Sequence, residues 1–391
     1  MNVFITGATG FLGGELLVDL SKKQEVNKIF CLVRMEEKEA ENKEKAMLRL
    51  KKVFDFHGDF LDPEKIIPVP GDLLQNDLAD YLSANKALDE VNIVIHAAAD
   101  TSFSPIYDDI VEQINIHGLE KILKWSSKLK KLETFTYVGT ATICGMDIKN
   151  RIVKEEESPN EKVEHLVKYT QTKMLGEIMT HKYLPEEKVL IVRPSIIMGD
   201  SRPWVPRSYV IMWALAAINL LRLVPINPDA QLDIIPVDYA SAAIIQLLFS
   251  KRNHFTYHIS TGAASATTPA KVTKAIENYF PHRPEFIFVG RELIREVKLW
   301  ARKKLNGHNV LKNYREHLNY WDDIFDDATD LRILMGGLEP YLDFIELGQV
   351  FDNSRLLQDT KIGNPEPAHE YMKRSAHFLD KIDIFEAALA P

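Results

Sequence analysis

The sequence predicts an α/β chain: a doubly wound parallel sheet followed by a smaller, mostly helical region. Three observations carry this. Short apolar runs alternate with helical patterns through the first half of the chain. The runs are apolar on both faces, as strands covered on both sides are. After about Asp200 the pattern changes: Pro203 and Pro206 open a segment that carries a long apolar stretch. At about 150 residues per domain, 391 residues are too many for one core and few for three.

In chain order, the expected strands are Val3–Thr6, Ile29–Val33, Ile66–Val69, Val91–His96, Thr134–Val138 and Val189–Val192. Between them Leu12, Leu16, Leu17 and Leu20 form one helical face. Ile110, Ile114, Ile122 and Leu123 fit another. Such βαβα alternation gives a parallel sheet with helices on both sides. Glu36–Lys52 is heavily charged and reads as a solvated surface helix. Residues 1–200 form the expected sheet domain and 201–391 a helix-rich, substrate-binding region, with 232–249 open to packing back on the sheet.

Composition narrows the function. The chain is 46% hydrophobic and 27% charged, as globular proteins are. With 48 basic and 56 acidic residues the net charge is −8, which gives no support to nucleic-acid binding. Two cysteines, Cys31 and Cys144, make no disulfide framework. The first strand starts at once, with no basic segment or cleavage site ahead of it, so a cytoplasmic location is expected. The apolar stretch Val210–Leu221 is shorter than the roughly 20 residues of a bilayer span, and a buried helix is expected there.

Gly7, Gly10 and Gly13 are spaced GxxGxxG between a strand and a helix. In that context glycines make the tight turn of a Rossmann-type sheet and let backbone approach a pyrophosphate. Thr9, Phe11 and Leu12 belong to the same turn. Arg34 ends the second strand about twenty residues on, where an NAD site carries an acidic residue. A guanidinium suits a 2′-phosphate, so NADPH is expected; the alternative is a surface arginine with Glu36 as the acidic group. Asp72 follows the third strand, where it can accept from an adenine amino group, with Leu73 beside it. His96, Ala97 and Ala98 end the fourth strand with mostly small side chains. No metal site is expected.

Tyr169 and Lys173 are four apart on an expected helix and so share a face. A neighbouring ammonium favours the phenolate and brings the tyrosine into acid–base range. Thr140 ends the fifth strand, where its hydroxyl can face a substrate carbonyl. Asn115, on the preceding helix, can hold a water between Lys173 and solvent.

Gly7/Gly10/Gly13, Asp72, the HAAA run, Asn115, Thr140, Tyr169/Lys173 and Arg193-Pro194-Ser195 resemble the extended short-chain dehydrogenase/reductase superfamily. FCLVR before a charged helix, VPGDL, IHAAADTSF and IPVDYA (Ile235–Ala240) are similar to its NADPH-dependent thioester reductases and fatty acyl reductases. These motifs cover about residues 1–260, and Phe351-Asp352-Asn353 is similar to the C-terminal region of fatty acyl reductases. Gly139 stands where many relatives carry serine, so a single hydroxyl is left at the usual catalytic place.

The resemblance implies reduction of an acyl thioester, on coenzyme A or a carrier protein, to an aldehyde and then an alcohol. Tyr169 and Thr140 would stabilise the oxyanion, and Pro194, Ser195 and Ile196 would border the cofactor. Val210–Val224 would wall an acyl chain, or else simply pack a core. Two other readings stay open. One is a superfamily dehydrogenase or epimerase for a sterol, another alcohol or a nucleotide sugar. The other is a non-catalytic cofactor sensor. The basic helix near Arg291–Lys304 can lie on a membrane surface or be an ordinary amphipathic helix.

Overall fold

The computed structural model describes residues 1–35, 42–146, 150–203, 211–301, 310–325 and 328–384. Seven parallel strands form the central sheet: β1 Asn2–Thr6, β2 Lys28–Val33, β3 Ile66–Pro70, β4 Ile93–His96, β5 Thr134–Val138, β6 Val189–Pro194 and β7 Thr256–Ile259. Their spatial order is β7-β6-β5-β4-β1-β2-β3. All six expected strands are present, because each is short, mostly β-branched or aromatic, and buried on both faces. The chain runs outward from β1 through β2 to β3, then crosses back to place β4 beside β1. At that reversal the connections after β1 and β4 leave in opposite directions and open a crevice above the carboxyl ends of the strands.

The sheet runs beyond residue 200. Its seventh strand, Thr256–Ile259, pairs with β6 and comes from the later half of the sequence. It is four residues long and carries His258 in its middle, so no apolar run advertises it. The His258 amide donates to the buried Glu155 carboxylate, which offsets the cost of burying that group. The helix Val237–Phe249 lies against the helix Phe11–Ser21. Ala240, Ala243, Ile244 and Leu247 join Val3, Ile5, Leu16 and Leu17 in one buried cluster.

The remaining helices build a second core. Met212–Leu221, Glu292–Ala301 and Ala328–Ile345 meet around Trp321, Leu334 and Leu338. Here the structure decides between two pairs of alternatives. The apolar stretch is mainly core: Ala217 is fully buried there, and only Ile211 and Met212, at its start, reach the crevice. Val210 lies outside the described residues. The basic helix does not present an apolar face outward, because Leu293, Ile294 and Val297 are buried in the core. Two of its cations are also paired, Arg291 with Asp343 and Lys298 with Glu339 at 2.6 Å. Arg302, Lys303 and Lys304 lie outside the described residues. Among the described residues no helix is long and apolar enough to cross a membrane.

Residues 36–41 of the charged segment, with Glu36, are likewise outside the described residues. Lys43–His57 is a helix capped by Asn42, whose side chain accepts from the Lys45 amide. It buries Ala46, Leu50, Val53 and Phe54.

Candidate active site

The glycine turn shapes the first part of the crevice. Gly7 has φ +75°, and a Cβ there would lie 2.7 Å from the Ala98 nitrogen. A Cβ on Gly13 would lie 2.1 Å from the Gly7 carbonyl oxygen. Only glycines let β1, the helix Phe11–Ser21 and the segment after β4 approach this closely. That helix starts at Gly10 with no side-chain cap and no acidic residue in its first turn. Its first amides and the positive end of its dipole face the crevice, as an anionic ligand requires.

One cavity of about 500 Å³ runs from this turn across the strand ends. Gly7, Thr9, Gly10, Phe11, Leu12, Gly13, Arg34, Asp72, Leu73, Ala97, Ala98, Thr140, Tyr169, Lys173, Pro194, Ser195 and Ile196 all line it. Two expected residues stand behind the wall instead. His96 shares a 3.0 Å hydrogen bond with the Thr6 hydroxyl, and its ring stacks on Tyr137. Burial, with the Lys173 charge nearby, pushes its pKa down to about 3, so it is a neutral structural group. Asn115 lies in a π-helical turn, Gln113–Gly118. Its amide nitrogen donates to the Asp100 carbonyl at 2.9 Å and to the Thr172 hydroxyl at 3.0 Å. Its oxygen accepts from the Asp100 amide at 2.8 Å. Both donors are thus spent on protein. The side chain ties the segment after β4 to the helix of Tyr169 and has no donor left for a bridging water.

At the far end of the glycine turn Arg34 is exposed and lines the cavity. Arg49, from the helix Lys43–His57, donates to the Arg34 carbonyl and lines the same end. Two arginines therefore line this end where the sequence showed one. Asp72 shapes the next stretch of wall, its carboxylate accepting the Leu74 amide at 2.8 Å.

Tyr169 and Lys173 occupy the start of the helix Lys168–Tyr183. That helix is set close by Gly176, where a Cβ would be 2.2 Å from the Tyr137 hydroxyl. The same hydroxyl donates to the Lys173 carbonyl. The Lys173 ammonium lies 4.7 Å from the centre of the Tyr137 ring. Burial pushes the Lys173 pKa down to about 7. It pushes Tyr169 up to about 12, against the opposing effect of a hydrogen bond with Thr140. Desolvation here outweighs the ammonium effect expected from the sequence. Behind them Arg193 forms a buried two-pronged pair with Glu177, at 2.5 and 2.9 Å, which anchors the end of β6 to the same helix.

The opposite wall is aromatic. Phe103, from the segment after β4, stacks on Tyr169 with ring centroids 6.2 Å apart. It also stacks on Tyr341 and meets Phe344 edge-on at 5.4 Å. Tyr341 and Phe344 come from the helix Ala328–Ile345, and Tyr341 packs edge-on against Trp213. Ile211 and Met212 complete this side. Ile211 and Met212 belong to the stretch expected to wall an acyl chain, whereas Tyr341 and Phe344 come from a distant segment with no shared local pattern, and sequence reasoning missed them.

The family model described as "Male sterility protein", an NAD-binding family, matches residues 5–244. The chain belongs to the male sterility protein family. It thereby carries the NAD(P)-binding domain of an extended short-chain dehydrogenase/reductase. This male sterility family chain is similar to several larger proteins. It is 30% identical over 290 residues to a linear gramicidin synthase of Brevibacillus parabrevis, covering 70% of this chain and 5% of that one. It is 27% identical over 322 residues to human fatty acyl-CoA reductase 1, covering 72% of this chain and 62% of that one. Among solved structures, the terminal R domain of the myxalamid PKS-NRPS pathway superposes with a TM-score of 0.69 at 20% identity. That match covers 97% of this chain and 90% of the other. The family member thus spans less than two thirds of those two sequence relatives.

Proposed function

We propose that this chain is an NADPH-dependent reductase of acyl thioesters, carried on coenzyme A or a carrier protein. The product is the aldehyde, and a second round gives the alcohol. One observation carries the reading: a single cavity joins a dinucleotide-shaped turn, Tyr169 with the buried Thr140 and Lys173, and an aromatic wall. The fatty acyl-CoA reductase among the relatives supports the substrate class.

The residues fit the cofactor. The approach of Gly7, Gly10 and Gly13 leaves room for a pyrophosphate against the amides at the start of Phe11–Ser21. Arg34 and Arg49 would take the 2′-phosphate, which favours NADPH. Asp72 would accept from the adenine amino group. Lys173 would hold the nicotinamide ribose, and Pro194, Ser195 and Ile196 would border the nicotinamide. In this reading residues 1–200 hold the cofactor. Residues from 201 onward supply Ile211, Met212, Tyr341 and Phe344 to the substrate side.

When bound, the reduced nicotinamide supplies hydride to the thioester carbonyl carbon. Tyr169 gives its phenolic proton to the carbonyl oxygen as charge develops there, and Thr140 donates a second hydrogen bond. The hydroxyl of the resulting hemithioacetal returns its proton to the tyrosine as the carbon–sulfur bond breaks. The thiolate leaves and takes a proton from solvent, and the aldehyde remains. In the second round the alcohol keeps the proton that Tyr169 gave, and there the low Lys173 pKa lets it pass a proton near neutrality and so restore Tyr169. The aromatic wall keeps water from the reacting carbon.

The test is a panel of acyl-CoA and acyl-carrier thioesters with NADPH, followed by product identification. Aldehyde or alcohol formed with matching NADPH oxidation supports the reading. Oxidation of a sterol, another alcohol or a nucleotide sugar with no thioester turned over overturns it.

A further inference from the structure

Gly139 leaves the end of β5 one hydroxyl short, yet a Cβ there would meet nothing closer than 3.5 Å. The structure supplies a second hydroxyl from further along. Thr140 caps the short helical turn Ala141–Cys144, and this turn folds Thr142 back over it. The two hydroxyl oxygens lie 2.9 Å apart, and the Thr142 amide donates to the same Thr140 oxygen at 3.4 Å. Both threonines are more than nine-tenths buried, and both line the cavity.

A hydroxyl has one proton and two lone pairs. The Thr142 amide takes one lone pair of Thr140. If the Thr142 hydroxyl donates into the other, the Thr140 proton is left to point toward Tyr169 or a substrate oxygen. If Thr140 donates to Thr142 instead, that proton is spent. The first order alone leaves Thr140 a proton for Tyr169, where a donated hydrogen bond favours the phenolate.

We propose that Thr142 is a positioning residue whose hydroxyl and amide both donate to Thr140, so that the Thr140 proton is held toward Tyr169 and the reacting carbonyl. The inference rests on the Tyr169–Thr140 roles of the reductase reading and adds the group that orders them. In this arrangement the proton of Tyr169 stays free for substrate. When a carbonyl arrives, Thr140 turns its proton to it while keeping both of its donors.

The experiment compares Thr142→Val, Thr142→Ser, Thr140→Val and the Thr140→Val/Thr142→Val double variant. Each is assayed with NADPH and an acyl-CoA and, separately, with the matching aldehyde. Thr142→Val should lower kcat about 10-fold or more, within the coupling range of hydrogen-bonded neighbours. KM and NADPH affinity should stay close to the parent, and Thr142→Ser should restore kcat. In the Thr140→Val background the second change should add nothing. Parent-like kcat in Thr142→Val overturns the proposal. So does a Thr142→Ser as slow as Thr142→Val, or a loss that persists without Thr140. If only the aldehyde is reduced, the thioester reading fails while this comparison still stands. If neither is reduced, ¹³C NMR of labelled tyrosine, assigned with Tyr169→Phe, reads the same chain. Tyr169 should then titrate at higher pH in Thr142→Val than in the parent or Thr142→Ser, and identical titration overturns the proposal.

Discussion

Phe103 lies flat against Tyr341, with ring centroids 4.7 Å apart and planes 12° from parallel. The first ring belongs to the sheet half of the molecule and the second to the helical half, so the two halves touch at the cavity wall. Because Phe103 also stacks on Tyr169, a group bound against this wall would lie beside that tyrosine.

The wall should therefore select the acyl group. Tyr341→Ala and Phe344→Ala each remove one ring, and aromatic contacts contribute about 0.5–1.5 kcal/mol beyond area. KM for long acyl chains should rise about 3- to 10-fold, with less effect on short ones and none on NADPH affinity. Ala217→Trp, deep in the second core, should instead lower stability without changing chain preference. Steady-state kinetics across a chain-length series, with a thermal melt of each variant, checks both.

Arg34 and Arg49 should act together on the cofactor. Charge-assisted hydrogen bonds contribute about 1.5–3 kcal/mol. Arg34→Ala or Arg49→Ala should thus weaken NADPH about 10- to 100-fold and leave NADH nearly unchanged. Fluorescence titration with both cofactors decides it, and equal affinity for the two in the parent protein would remove the argument.

What the sequence showed was local. Six strands were visible because each is an apolar run with turn residues beside it. The glycine turn and the Tyr169/Lys173 pair were visible because their spacing is itself the geometry. β7 was hidden by His258, whose buried ring is bonded to the Asp352 carbonyl, about a hundred residues later. Arg49 sits in a helix that looks merely solvated, and only its reach to the Arg34 carbonyl gives it a place in the site. His96 adjoins Ala97 and Ala98 in sequence, yet its own ring turns into the sheet against Tyr137. Tertiary contacts decided each of these.

The turn should not tolerate a methyl group. In Gly13→Ala the new Cβ would meet the Gly7 carbonyl at 2.1 Å, and both partners are backbone. Overpacking of this kind costs about 1–3 kcal/mol. NADPH binding should fall further than stability, because relief of the clash opens the turn. Calorimetric titration beside a denaturant melt separates the two effects.

The buried pair of Arg193 and Glu177 should matter for the fold. Removing one partner strands a charge, which costs about 3–5 kcal/mol. Arg193→Met should unfold at much lower denaturant than the parent. Adding Glu177→Met to it should recover much of the loss, since no charge is then left buried. A double variant no better than Arg193→Met would show that the pair's shape, rather than its charge balance, holds β6.

Tyr169 and Lys173 should act as one unit. Tyr169→Phe removes only a hydroxyl, so fold and cofactor binding should persist while turnover falls at least the roughly 10²–10⁴-fold typical of acid–base catalysis. Lys173→Met should lose turnover and also weaken NADPH, because charge and ribose contact go together. The double variant should be scarcely worse than the worse single one. Lys173 also has a signature in stability. Its pKa falls from 10.5 to about 7 on burial, so between those values the unfolded chain holds a proton that the folded one lacks. Stability should then rise with pH across that window and be lost as pH falls toward 7. In Lys173→Met this rise should vanish, and the variant should gain most over the parent near and below pH 7, where the parent buries a charged ammonium. Denaturant melts of both proteins from pH 6 to about 10, made without cofactor, test the sign directly. A parent curve parallel to that of Lys173→Met would mean that the ammonium keeps its ordinary pKa in the fold. Its proposed part in passing protons near neutrality would then be wrong.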